Sequence, residues 1–478
     1  MSRIVLLVAI ALTASTTSAQ VLALTDATVI DVAAGVAEPG MTVVVEDGRI
    51  TAVGESGGVG VPAAATVVDA SGKYLIPGLW DMHAHLEWGG WDTSELLVAH
   101  GITGARDLWG DLADIERRSR PATGDTIAPR VVMAGAIVDG APSMLPGTVS
   151  VTTPEQGRAV VDSLADGGAP FIKVYDALSP ETYAAIVARS QERGLPVAGH
   201  VPWRMRAVDA SEAGQKSIEH AFGVLPACSP DEDASIANSA EAFGLLASGD
   251  MPGALQVYLR NLRLMGTPDD AACRQLAERL ADNGTWVVPT LVVLRGSWLR
   301  DDPAFRDDDR LAHVPPNMRE GWLPENGFPS RFLSPDDWGA GHAMYARAVE
   351  VVGLLHAAGV PLLAGSDAGN PFTFFGSGLH DELELLVEAG LSPVEALRTA
   401  TSNPAAFLGR ADDFGAVAPG KVADLVLLDA NPLDDISNVR AVSGVVLDGV
   451  WVPEPKLDRV LEATAARFDT SDELSEPG

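Results

Sequence analysis

Cysteine is nearly absent from the 478-residue chain. Only Cys228 and Cys273 occur, and neither sits in a metal-ligand spacing. This excludes a thiolate-rich zinc site and a disulfide-dense scaffold. In an exported chain an even pair fits one disulfide, with two separate buried thiols as the alternative. Basic residues are also scarce: 33 Lys and Arg stand against 65 Asp and Glu, a formal net charge of −32. A surface of that sign repels phosphate backbones and anionic lipid, so no nucleic acid partner is expected. Long apolar runs are missing too. The stretch Ile4 to Leu12 is too short to span a bilayer. It follows Met1-Ser2-Arg3 and precedes Thr17-Ser18-Ala19, the basic start, apolar core and small-residue end of a secretory signal. Cleavage after Ala19 would give a soluble periplasmic or secreted protein with no membrane contact. No cysteine marks a lipid anchor at that point, and an uncleaved anchor is the competing reading.

What is present is an ordinary globular composition, 47% hydrophobic with 48 Gly and 32 Pro, on a chain longer than one compact core usually holds. A large domain with a smaller companion is expected. Residues 20–76 read as short strands, with Asp47-Gly48 between β-branched runs marking a tight hairpin. Residues 411–453 carry VADLVLLD and AVSGVVLDGVWV, of the same character. The two ends are expected to close one small β-sandwich around the middle. From Glu454 a short helix leads into a polar, disordered tail ending at Gly478.

Residues 77–410 alternate strand-like and helix-like segments. Eight strand candidates occur: Leu79 to His83, Ile102 to Arg106, Arg130 to Ala134, Phe171 to Tyr175, Val197 to His200, Ser217 to His220, Trp286 to Thr290 and Leu362 to Ser366. Helical stretches such as Pro154 to Asp166 and Pro180 to Arg193 follow Thr or Ser placed as N-caps. The fold class is α/β, and eight such units predict a closed (β/α)8 TIM-like barrel with its site at the C-terminal strand ends. The connections Gly223 to Asn283 and Leu294 to Gly341 exceed what a crossover needs. They are candidates for covering the mouth, setting specificity or assembling a homo-oligomer.

The chemistry gathers at those strand ends. In LIPGLWDMHAHLEW, His83 and His85 lie two residues apart on a strand end and so face one side. Paired imidazoles supply half of a four-ligand metal site. His200 closes LPVAGH, His220 closes KSIEH, and Asp367 follows LLAGS. Lys173 lies inside FIKVYD, where a cation among apolar neighbours is costly unless something neutralises or uses it. Any one of these has a bland explanation as a strand-end side chain; together they converge on one barrel mouth.

With PGLWDMHAHL, IKVY, GHV, IEHAFG, AGSDA, HDELELLVEAGLSPVEALRTATSNPAAFLG and GAVAPGKVADLVLLDANPLDDI in view, the chain resembles the metal-dependent amidohydrolase superfamily, in the branch of imidazolonepropionase-like proteins and Xaa-Pro dipeptidases. The resemblance implies two divalent metal ions, zinc in the first instance. His83, His85 and Asp367 would hold one and His200 and His220 the other, bridged by Lys173 as N6-carboxylysine. It further implies a bridging hydroxide as nucleophile, with Asp367 moving the proton. The expected reaction is hydrolysis of the amide bond of a small-molecule substrate, a dipeptide or an N-acyl amino acid. Tyr175, Arg204, Arg206 and His380 are candidate substrate contacts, and Arg106 is another, unless it pairs with Asp107; the arginines could equally form surface or loop-holding salt bridges, and His380 could only cap the helix after Asp367. Trp88, Trp91 and Trp203 are candidate walls of an apolar pocket, core packing being the default. Three alternatives stay open: the same centre acting on a lactone, carbamate or other non-peptide bond; a mononuclear imidazolonepropionase-like enzyme; and an inactive scaffold relative.

Overall fold

The computed structural model describes residues 21–90, 93–143 and 145–470. The expected signal segment 1–19, Trp91 and the tail after residue 470 lie outside the described residues. No described helix is long and apolar enough to cross a membrane.

Both ends of the described chain build one sheet. Its order is Val450–Pro453, Val442–Leu447, Leu425–Leu428, Tyr74–Pro77, Val21–Asp31, Val36–Glu46 and Arg49–Glu55, with Thr66–Asp69 also paired to Val21–Asp31. The hairpin after Val36–Glu46 turns at Asp47 (φ 50°) and Gly48 (φ 78°), and Asp448 (φ 51°) and Gly449 (φ 82°) repeat the device. Two successive positive φ values match the right-handed strand twist, which is why an Asp-Gly pair occupies both turns. The sheet bends back on itself, since Arg49 bridges to Val422. It encloses a core of Leu22, Leu24, Val43, Val45, Ile50, Leu75, Leu425 and Leu427.

The middle of the chain carries parallel strands linked by helices. Leu79–Ala84 pairs with Ile102–Asp107, which pairs with Arg130–Met133. Ile172–Val174, Val197–Gly199, Ser217–Glu219 and Trp286–Val288 pair in that order. The eighth segment joins the two groups: Val287 bridges Leu362, while Met82 N donates to Ala364 O at 2.9 Å and Asp367 N to His83 O at 2.7 Å. Gly365 permits this approach, because a Cβ there would lie 2.7 Å from that of His83. Among the described residues no ladder joins Arg130–Met133 to Ile172–Val174. The buried side chains of Ala134, Phe171 and Ala198 pack across that seam instead.

The helices Pro154–Asp166 and Pro180–Glu192 form where expected. Thr153 accepts from Gln156 N and Ser179 from Thr182 N, satisfying first-turn donors. The first long connection is helical: Glu232–Ser248, Met251–Met265 and Asp270–Asp282. Cys228 and Cys273 are joined in a disulfide at its base. The terminal helix runs from Glu454 to Thr470.

Candidate active site

The strand Leu79–Ala84 carries His83 in its last two residues and His85 follows directly, so both rings point to the C-terminal mouth. Asp81 fixes the neighbouring segment by accepting from Ser366 N (2.9 Å), Ser366 Oγ (2.5 Å) and His83 N (3.1 Å). Asp367 is thereby held opposite the pair. Its Oδ1 lies 3.4 Å from His85 Nε2 and 3.7 Å from His83 Nε2, and its Oδ2 lies 3.8 Å from His220 Nε2. The His200 and His220 rings are 4.8 Å apart, and His220 lies 4.6 Å from His83. Lys173, with no exposed surface, shares this interior. The structure therefore brings together the six residues expected at the strand ends.

Three orienting partners lie behind these rings, and sequence reasoning missed them. His83 Nδ1 donates to Glu219 Oε2 at 2.9 Å, His200 Nδ1 donates to Asp176 Oδ1 at 2.8 Å, and His220 Nδ1 hydrogen-bonds Thr290 Oγ1 at 2.7 Å. Each bond occupies Nδ1 and leaves Nε2 as the free nitrogen, the arrangement that orients a metal-binding histidine. Glu219 is in turn gripped through both oxygens by Arg106 Nη2, at 2.7 and 2.9 Å. Arg106 also donates to Met82 O and Ser217 Oγ. The expectation that Arg106 contacts substrate or pairs with Asp107 is thus corrected. Neighbouring strand residues face opposite sides, and the Arg106 charge is consumed by Glu219.

Backbone strain gathers here as well. His220 (φ 69°), Thr290 (φ 46°) and Asp367 (φ 52°) occupy the left-handed region although none is glycine. Such conformations persist where surrounding contacts impose them.

Burial sets the protonation states. All four imidazoles are held well below the ordinary histidine value, chiefly by desolvation, with the Lys173 charge adding to it. They are therefore neutral, as metal ligands must be. Desolvation lowers the Lys173 amine, opposed by Glu219 and Asp367, and raises the Asp367 carboxyl.

The site passes a test for metal binding on its own atoms. His83 Nε2, Lys173 Nζ and Asp367 Oδ1 are buried and find no hydrogen-bond partner among the described residues. Unpaired buried polar atoms are costly, and a bound cation would satisfy the nitrogen and oxygen lone pairs. His83, His220 and Asp367 each offer a ligand atom within 4.8 Å of the others.

The expected substrate contacts fare differently. Tyr175 stands at the site, its ring 4.1 Å from that of His200. Trp88 stacks on His85 at 4.4 Å and 18°. Arg204 is exposed and lies over Phe243 at 5.4 Å. Arg206, also exposed, is ion-paired with Glu232 and Asp233, so its charge is spent on the surface. His380 is fully buried, and its Nε2 donates to His100 O at 2.8 Å. The structure thus gives His380 a scaffold role instead of a place in the site.

Comparison with known proteins adds three findings. The amidohydrolase family model matches residues 347–452. The imidazolonepropionase of Mycolicibacterium smegmatis is 27% identical over 398 residues, 81% of this chain and 84% of that protein. The bottromycin amidohydrolase structure is 27% identical with a TM-score of 0.71, covering 94% of this chain and 90% of its own.

The chain is similar to the amidohydrolase superfamily.

The protein is a metal-dependent hydrolase acting on carbon–nitrogen bonds. Its fold is shared with a Xaa-Pro dipeptidase solved with methionine in its active site, at 19% identity and a TM-score of 0.65, covering 91% of this chain and all of that one.

Proposed function

We propose that this protein is an exported binuclear enzyme that cleaves the amide bond of a dipeptide or an N-acyl amino acid. The observation that supports it most is Lys173, whose amine is fully buried amid four imidazoles and has no hydrogen-bond partner among the described residues. An ammonium there is expensive. A neutral amine adds to the carbon of carbon dioxide and releases a proton, giving an N6-carboxylysine whose single negative charge is shared by two oxygens. On this reading His83, His85 and Asp367 hold one divalent ion, and His200 and His220 the other, with carboxylated Lys173 between them. Zinc is the ion proposed; imidazole and carboxylate donors also suit manganese, cobalt or iron. When bound, such ions lower the pKa of water from 15.7 to about 7 and polarise a scissile carbonyl.

The chain's own residues complete the chemistry. Asp367, its carboxyl raised by burial, takes a proton at its carboxylate and returns it to the leaving amine. Glu219 and Asp176 keep the His83 and His200 imidazoles in one tautomer, and Thr290 orients that of His220. Trp88 and Phe222, stacked on His85 and His220, shield these rings from water.

A second reading has a specific observation behind it. His83, His220 and Asp367 alone form a compact ligand group, enough for one metal ion, as in a mononuclear enzyme. A screen of dipeptides and N-acyl amino acids against the metal-loaded protein separates the readings. Release of free amino acid by the wild type, with more than about 100-fold loss in Lys173→Ala, is expected; equal activity of the two would overturn the binuclear reading. Export is tested separately by the mature N-terminus, expected at Gln20.

A further inference from the structure

A cavity of about 260 Å³ adjoins the histidine cluster, and nothing in the chemistry above uses it. Its inner wall belongs to the site. Asp176, which holds His200, lines it, as does Phe222, whose ring stacks on His220 at 4.9 Å and 8°. Its outer wall comes from the long helical connection, which contributes residues of Glu232–Ser248 and Met251–Met265 and is tied at its base by the Cys228–Cys273 disulfide.

The lining is chemically one-sided. Trp203, Trp298, Met205, Met265 and Met344 present aromatic rings and thioethers, soft apolar surfaces that adapt to a planar or branched group. The remaining polar groups are few and neutral: Asn261 Nδ2 donates to Ser239 Oγ at 3.1 Å and Asn238 Oδ1 accepts from Arg260 Nε at 3.0 Å, while Asn261 Oδ1 and Ser235 Oγ find no hydrogen-bond partner among the described residues. Asp176 is the one charged side chain among the lining residues, and its Oδ1 already accepts from His200. A carboxylate placed there would lose its water and meet the like charge of Asp176 with no counter-charge, whereas an uncharged apolar group would only lose contact with water.

We propose that this cavity is the specificity subsite and takes an uncharged aromatic or large aliphatic side chain of the substrate, next to the His200–His220 side of the site. The assignment rests on the amide-hydrolase reading for its role in turnover, but not for its ligand chemistry. It places the carboxylate end of any substrate elsewhere.

The test uses the full mature chain and two neutral probes, N-acetylphenylalanine amide and N-acetylglycine amide, followed by calorimetry or ligand-observed NMR. The phenylalanine probe should bind saturably, at least tenfold tighter than the glycine probe. Ala242→Trp, which fills the cavity from the helix Glu232–Ser248, should remove that preference. Met265→Ala opens the cavity instead and serves if Ala242→Trp does not fold; it should shift preference towards N-acetyltryptophan amide by several-fold. Equal binding of both probes by the wild type, or a preference unmoved by both variants, would overturn the subsite. In turnover, Ala242→Trp should lower the phenylalanyl-to-glycyl ratio of kcat/KM at least tenfold across the substrate panel. Selective binding without hydrolysis of any amide would leave the subsite standing and sink the amide-hydrolase reading.

Discussion

His83 Nδ1 lies 2.9 Å from Glu219 Oε2, a contact between residues 136 positions apart in the chain. Both side chains are fully buried. The carboxylate fixes the imidazole tautomer, and Arg106 fixes the carboxylate, so the direction of His83 Nε2 is set three residues deep.

Glu219→Gln should therefore weaken metal binding while leaving every proposed ligand in place. Loss of an orienting carboxylate typically costs about 10–100-fold in metal affinity or activity. Chelator competition on the purified variant measures this, and an affinity within twofold of wild type would contradict the role.

Removing the other end of the pair has a different consequence. Arg106→Met leaves Glu219 as a buried carboxylate with no cation, a change that costs about 3–5 kcal/mol. Urea denaturation of metal-free protein should show that loss. A cost under about 1 kcal/mol would mean that Glu219 is held by other groups.

His380 offers a check on acid stability outside the metal ligands. Burial, with His100 and Arg440 adding to it, depresses its pKa from 6.5 to about 3, and His100 is similarly lowered to about 4. Because the folded values lie below the unfolded one, the unfolded chain binds more protons. The stability tied to these neutral rings is intact above about pH 6.5 and is lost as pH falls towards 3. Buried carboxyls such as Glu382, raised to about 8, act in the opposite sense, so the comparison must be between variants. His380→Gln should lose less stability than wild type between pH 6.5 and 4 in thermal scans; parallel curves would contradict the assignment.

The sequence made the six strand-end residues legible for a physical reason. Each follows a short apolar run, and in a parallel α/β arrangement such positions converge at one end whatever the strand order. Glu219 and Asp176 were hidden because they read as ordinary alternation in KSIEH and KVYD. Only the spatial neighbour of each strand shows which imidazole they meet. The arginines failed differently. Arg204 and Arg206 sit beside His200 in sequence, but the helical connection supplies Phe243, Glu232 and Asp233, which capture both on the surface. The place of His380 after Asp367 leaves substrate contact and helix capping equally open in the sequence, and the helix Ser377–Glu388 directs its ring against His100. The eighth barrel segment is expected as a strand and makes only an isolated bridge with individual hydrogen bonds.

The central claim, that Lys173 is a carboxylated bridge between two ions, is tested most directly by metal content. Mature wild-type protein, loaded with zinc in bicarbonate buffer and freed of excess metal, should carry about two ions per chain, and Lys173→Ala about one or none, by elemental analysis. One ion per chain in both proteins would contradict the bridge and favour the single site of His83, His220 and Asp367.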